Sequence, residues 1–186
     1  MATAHDRELA RSQTHALDAP PFHLLDSPLE YFLADHLRHR ALCSLLKTFV
    51  DAKSAVREDA DLAIAFLTRD LPLHRADEEN DLFPALRRRA RPEDDLGGIL
   101  AQLRADDRLT APLADAIVAA LSKLSGEGAV KLDRQDIEIM QAYAASEHRH
   151  IAIENAVVLA IAGVRLSRTD IKAISRGMKA RRGVTG

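Results

Sequence analysis

Apolar residues recur at alternating spacings of three and four along four stretches of this chain, and in three of them histidine and glutamate occupy recurring positions themselves. That recurrence lines one face of a helix and conflicts with the two-residue period of a strand. Composition agrees. Apolar residues make up 47% of the 186, aromatics only 4%, and alanine and leucine carry the apolar content, which favours helix. No stretch alternates as a strand would. The expected fold is all-α: an up-down four-helix bundle with an irregular N-terminal extension over 1–26, a bundle domain over 27–183 and a short fifth helix at its end.

The first predicted helix covers about 28–50, with Phe32, His36, His39, Cys43, Leu46 and Val50 on its inward seam. Its start reads as Ser27-Pro28-Leu29-Glu30: a capping serine, a proline suited to the first helical position and a glutamate placed to close a capping box. The second covers about 57–89, kinked or split at Pro72, with Leu67, Leu71, His74, Glu78, Asp81 and Ala85 inward. The third covers about 93–124, through Leu100, Leu103, Asp107, Thr110, Ala114 and Ile117, and ends at Gly126 and Gly128. The fourth covers about 133–162, through Tyr143, Glu147, His150, Glu154, Val157 and Ile161, with Gly163 placed to terminate it. The fifth follows a capping box at Ser167-Arg-Thr-Asp170.

A hydrophobic core does not want His36, His74, Glu78, Asp107, Glu147, His150 and Glu154. A buried carboxylate without a partner is costly, and the usual resolutions are an ion pair or a metal. No lysine or arginine lies on these seams; Arg75 and Arg149 neighbour the histidines but are expected to point off them. One or two dications would neutralise the carboxylates together. Mixed imidazole and carboxylate donors suit iron, manganese or zinc rather than a thiolate zinc site.

The donors also repeat. His74-x-x-x-Glu78 on the second helix recurs as His150-x-x-x-Glu154 on the fourth, and spacing four puts both side chains of each pair on one face. Alone, such a pair is most simply a surface contact; two of them on inward seams are not. His36 and Asp107 complete a pseudo-twofold arrangement bridged by Glu78 and Glu154. His39 reads equally as a ligand or as a supporting or core histidine. Cys43 reads as a core filler.

The stretches Ala34-Asp-His-Leu-Arg-His-Arg40, Leu73-His-Arg-Ala-Asp-Glu-Glu-Asn-Asp-Leu-Phe-Pro84 and His150-Ile-Ala-Ile-Glu-Asn155 resemble the hemerythrin-like HHE cation-binding domains. The resemblance spans about 28–183. It implies a four-helix bundle with a non-haem two-iron centre that meets oxygen, nitric oxide or peroxide, with His36, His74, Glu78, His150 and Glu154 as ligands. The chain departs from the family pattern on the third helix. Asp106-Asp107 stands where members usually carry an acidic residue followed by histidine. A more carboxylate-rich centre, or a second position that binds weakly, is the implied consequence.

Three functions follow as expectations. One is a module that senses, stores or carries a diatomic ligand or iron. Another is an oxidase, peroxidase or nitrosative-stress repair enzyme, for which Glu147-x-x-His150 matches one of the two motifs carried by ferritin-like di-iron enzymes. The last is an interaction bundle with a vestigial metal site. A net charge of −2 and a pI near 6.4 mark no general nucleic-acid binder. No stretch reaches the length of a membrane span, and a single cysteine in a helical apolar pattern suits a cytoplasmic, reducing setting.

Overall fold

The computed structural model describes residues 16–123 and 128–184. The expectations on 1–15 and on Gly126 lie outside the described residues. Five helices account for most of the rest. α1 is Pro28–Ala52. α2 spans 57–89 as Arg57–Ala65, a π-helical turn Phe66–Asp70, Leu71–Asp77, a second π turn Glu78–Leu82, and Phe83–Arg89. α3 is Leu96–Leu121. α4 spans 134–165 as Arg134–Ile153, a π turn Glu154–Val158, and Leu159–Arg165. α5 is Arg168–Arg181.

The core is two apolar clusters with a polar layer between them. Leu42, Leu46, Phe49, Phe66, Leu71, Ala114, Ile117 and Tyr143 belong to one. Tyr31, Phe32, Leu82, Phe83, Leu100, Leu103, Val158 and Met178 belong to the other. Along α1 the chain leaves the second cluster at Phe32 and enters the first at Leu42. α2 runs from the first at Leu71 to the second at Leu82, α3 from the second at Leu103 to the first at Ala114, and α4 from the first at Tyr143 to the second at Val158. Successive helices therefore cross the layer in opposite directions, the up-down topology expected. α4 packs against both α1 and α3.

Local chemistry explains most boundaries. Asp133 and Ser167 form true capping boxes with Asp136 and Asp170. Ser27 does not; its side chain makes no cap bond, and α1 starts on Pro28 with the Glu30 amide bonded to the Ser27 carbonyl at 2.9 Å. α3 starts later than expected because Pro92–Asp94 forms a separate 3-10 turn, and α4 runs through Gly163 to Arg165. Residues 16–26 are docked rather than loose. Leu17 and Leu25 are buried, and the Leu17 carbonyl accepts from Arg38 Nε and Nη2 at 3.1 and 3.0 Å.

Two features depart from the sequence expectation. Ser54–Val56 (β1) and Ala129–Lys131 (β2) pair antiparallel, Ala55 opposite Val130. This ribbon ties the α1–α2 link to the α3–α4 link at one end of the bundle; three residues are too few to show alternation. The second departure is a one-residue slip of the inward seam. After Glu78 the buried residue is Leu82, not Asp81, and after Glu154 it is Val158 and then Ala162, not Val157 and Ile161. Each slip falls at a π turn, which inserts one residue into the helix.

Candidate metal centre

The polar layer gathers His36 and His39 from α1, His74, Asp77 and Glu78 from α2, and Glu147, His150 and Glu154 from α4, all buried. Asp107 of α3 sits at its rim, half-buried. The π turns begin on Glu78 and Glu154 themselves, and such bulges occur often at functional sites.

Three histidines are anchored through Nδ1. His36 Nδ1 lies 2.7 Å from the Asn155 amide oxygen, His74 Nδ1 lies 3.0 Å from Asp35 Oδ2, and His39 Nδ1 lies 2.5 Å from Glu147 Oε1. These oxygens accept, so each ring donates from Nδ1 and turns its Nε2 into the layer. The Nε2 atoms face carboxylates: His36 to Glu154 Oε2 at 3.2 Å, His74 to Glu78 Oε1 at 3.4 Å, and His150 to Glu154 Oε1 at 3.2 Å.

The two contacts at Glu154 lack aligned hydrogens. Among the described residues, buried atoms without a hydrogen-bond partner include His36 Nε2, His39 Nε2 and both Glu154 oxygens. Unpaired lone pairs pointed at one another in a dry layer are what a cation would satisfy. The donors also stand at ligand spacing. His36, His74, Glu78 and Glu154 bring one donor atom each to within 4.8 Å of one another, and so do Glu78, Asp107 and His150. Glu78 belongs to both groups. The residues present fit a bound cation.

The electrostatics agree. Burial and the charge of Glu154 push the Glu78 carboxyl well above its ordinary range. Burial works the same way on Glu154, but its contacts with His150 and His36 outweigh it and hold it well below. Burial pulls His150 down, yet Glu154, Asp107 and Glu78 outweigh it and lift the imidazole to about 9. Protons are doing what a cation would do, since two buried carboxylates side by side cannot both stay charged without one.

Residues 27–162 match the family described as Hemerythrin HHE cation binding domain. The chain belongs to that family. It has no significant match among curated proteins or among solved structures.

Within this hemerythrin fold, the seven sequence-predicted site residues are placed as follows. His36, His74, Glu78 and Glu154 converge. Asp107 and His150 converge with Glu78. Glu147 shares the layer but turns to His39, whose ring packs edge-on to Phe66 at 4.9 Å and lies 4.4 Å from that of His74. The expectation that Arg75 points off the seam does not hold: its Nε lies 2.9 Å from Asp107 Oδ1, and Nη2 donates to Thr110 at 2.9 Å.

Sequence reasoning missed the supporting partners. Asp35 holds His74 and is itself held by Arg38 Nη1 at 2.5 Å; Arg38 also pairs with Asp70. Asn155 holds His36. Each stands one residue from a seam position, and each lies inside a stretch that carried the family resemblance. Across the layer, Arg181 at the end of α5 and Arg182 just after it both reach Asp77 at 2.7 Å. The basic run that ends α5 thus closes over the layer.

Proposed function

We propose that this hemerythrin-family chain holds a two-position non-haem iron centre and uses it to bind oxygen, nitric oxide or peroxide. The observation that carries the reading is Glu78, common to two converging donor groups. His36, His74, Glu78 and Glu154 would hold the first ion, and Glu78, Asp107 and His150 the second. Three imidazoles and three carboxylates suit iron, with manganese or zinc as alternatives. Iron, when bound, would supply redox chemistry and an open position for a small ligand. The chain's own residues do the rest. Asn155 and Asp35 fix the His36 and His74 rings, the carboxylates balance charge, and Phe32 and Phe66, both buried, keep the first position dry.

Asp107 favours a second reading, a di-iron oxidase or peroxidase. A carboxylate in place of an imidazole adds negative charge, which stabilises a higher oxidation state and works against reversible oxygen carriage. Consumption of peroxide by the loaded protein separates the two. Cys43 takes no part in either; burial foremost, with the charge of Glu147, pushes its thiol up to about 12. A reducing, cytoplasmic setting is part of the proposal. Among the described residues no helix is long and apolar enough to cross a membrane.

The test is metal content by elemental analysis of protein produced with iron, with its visible spectrum under air. His74→Ala and His150→Ala are each expected to lose bound metal sharply. Full stoichiometry in both variants would refute the ligand assignment, and no uptake by the parent chain would favour an interaction bundle with a vestigial site.

A further inference from the structure

The two donor groups are not equivalent, and the difference is a cation already in place. The first group is enclosed: His36, His74, Glu78 and Glu154 are all buried. Its neighbours are neutral or anionic acceptors, the Asn155 amide and the Asp35 carboxylate. The second group, Glu78, Asp107 and His150, opens toward the surface through Asp107, whose side chain is 19% exposed. There Arg75 Nε stands 2.9 Å from Asp107 Oδ1, with no hydrogen aligned on that oxygen.

Arg75 is held where it is. Its Nη2 donates to the Thr110 hydroxyl at 2.9 Å, one helical turn beyond Asp107 on α3, while His74, next to it on α2, faces the first group. A guanidinium cannot shed its charge. An ion arriving at the second position would therefore share Asp107 with a fixed positive charge a few ångströms away, in a layer where screening by water is weak.

Building on the two-position reading, we infer that Arg75 is a resident competitor for the second cation, so that the centre fills in order and holds its second ion weakly. The first position gains nothing from losing Arg75, because none of its four donors contacts that side chain. The second position gains twice: Asp107 is released to turn its carboxylate inward, and the repulsion between guanidinium and ion disappears. Arg75 is in this sense a residue that sets metal stoichiometry, acting through Asp107 without being a ligand.

The experiment is a calorimetric titration of the metal-free full chain with ferrous iron under argon, repeated with zinc as a redox-silent probe. The proteins compared are the parent, Arg75→Met, Arg75→Lys, Asp107→Asn and the Arg75→Met/Asp107→Asn double variant. Methionine keeps the aliphatic bulk of the stem and removes the charge. Arg75→Met is expected to tighten the second equivalent roughly tenfold, as removal of a unit positive charge a few ångströms from the ion in a weakly screened layer implies, and to leave the first unchanged. Arg75→Lys keeps the charge without the planar fork and should gain less. Asp107→Asn should lose the second equivalent, and adding Arg75→Met to it should restore less than Arg75→Met gains over the parent, because only the relief of repulsion survives without Asp107.

A second-equivalent affinity that is unchanged or weaker in Arg75→Met overturns the inference; the weaker result would make Arg75 a support for Asp107. A gain as large in the Asp107→Asn background as in the parent overturns it as well. If Arg75→Met unfolds, Arg75→Lys decides alone: a second equivalent no tighter than the parent's counts against the competitor role. Failure of the two-position reading looks different, because neither the parent nor any variant would then take up a second equivalent.

Discussion

Replacing Asp35 by asparagine removes one charge from a buried chain of contacts without changing its shape. Asp35 is 2% exposed and sits between Arg38 Nη1 at 2.5 Å and His74 Nδ1 at 3.0 Å. Burial pushes its carboxyl up, but the hydrogen bond from His74 and the charges of His74, His39 and Arg38 outweigh that and hold it below the usual carboxylate range. Removing one partner of a buried ion pair costs about 3–5 kcal/mol. Arg38 keeps Asp70 and the Leu17 carbonyl, so the low end applies, about 3 kcal/mol. For a chain of this length that lowers the melting temperature of the metal-free protein by about 6–12 °C.

The effect on metal is separable from the effect on folding. Asparagine still offers an oxygen to the His74 Nδ1–H, so the ring stays oriented and only its basicity falls; iron affinity should drop about tenfold. Asp35→Ala removes the anchor altogether, and the drop should approach a hundredfold. Thermal melts of the metal-free proteins and iron titrations of the same samples give both numbers. If Asp35→Asn melts within about 1 °C of the parent and both variants bind iron as the parent does, Asp35 neither supports His74 nor neutralises Arg38.

Two further outcomes are expected. His150 is lifted from 6.5 to about 9 in the metal-free fold, so its stabilising contribution is complete below 6.5 and is lost as pH rises through 9; metal must displace that proton, so affinity should climb over the same window, and a flat profile by titration would contradict the assignment of His150. Gly177→Ala places a methyl group on the Asp81 carboxylate, which is paired with Arg181; it should destabilise the docking of α5 by about 1–3 kcal/mol, read by denaturant unfolding, and an unchanged midpoint would show that Asp81 moves freely.

The parts of this molecule that repeat locally could be read from the sequence, and those that depend on a partner far along the chain could not. On α3 the predicted seam is the observed one from Leu100 to Ile117, because an unbroken α-helix keeps its phase. His36, His74, Glu78, His150 and Glu154 were legible because charged groups on an inward seam are costly and therefore informative. Asp35 and Asn155 were not, because each lies one step off the seam and acquires its meaning only from a ring on another helix. Arg75 was misread for the same reason: adjacency to His74 says nothing of Asp107 across the bundle. The β1–β2 ribbon joins segments some seventy residues apart, with no side-chain pattern to announce it.

The π turns explain how one sequence serves both the polar layer and the apolar cluster beyond it. Had α2 and α4 kept strict phase, Asp81 would face the core after Glu78, and Val157 after Glu154. The extra residue in each turn brings Leu82 and Val158 inward instead, completing the second cluster. It also frees residues inside the turns for other work: Asp81 meets Arg181 of α5, and Asn155 meets the His36 ring. On α2 the cause is visible. Pro72 and Pro84 each stand two residues past a π turn, and a proline lacks the amide that the carbonyl four residues earlier would need,. The π turn of α4 is followed by no proline, so its extra residue has another origin. What these two turns share is the glutamate that opens each, buried beside a histidine one turn earlier. Both halves of the repeat thus reach the same backbone solution by different local routes, which places the constraint on the layer they build together.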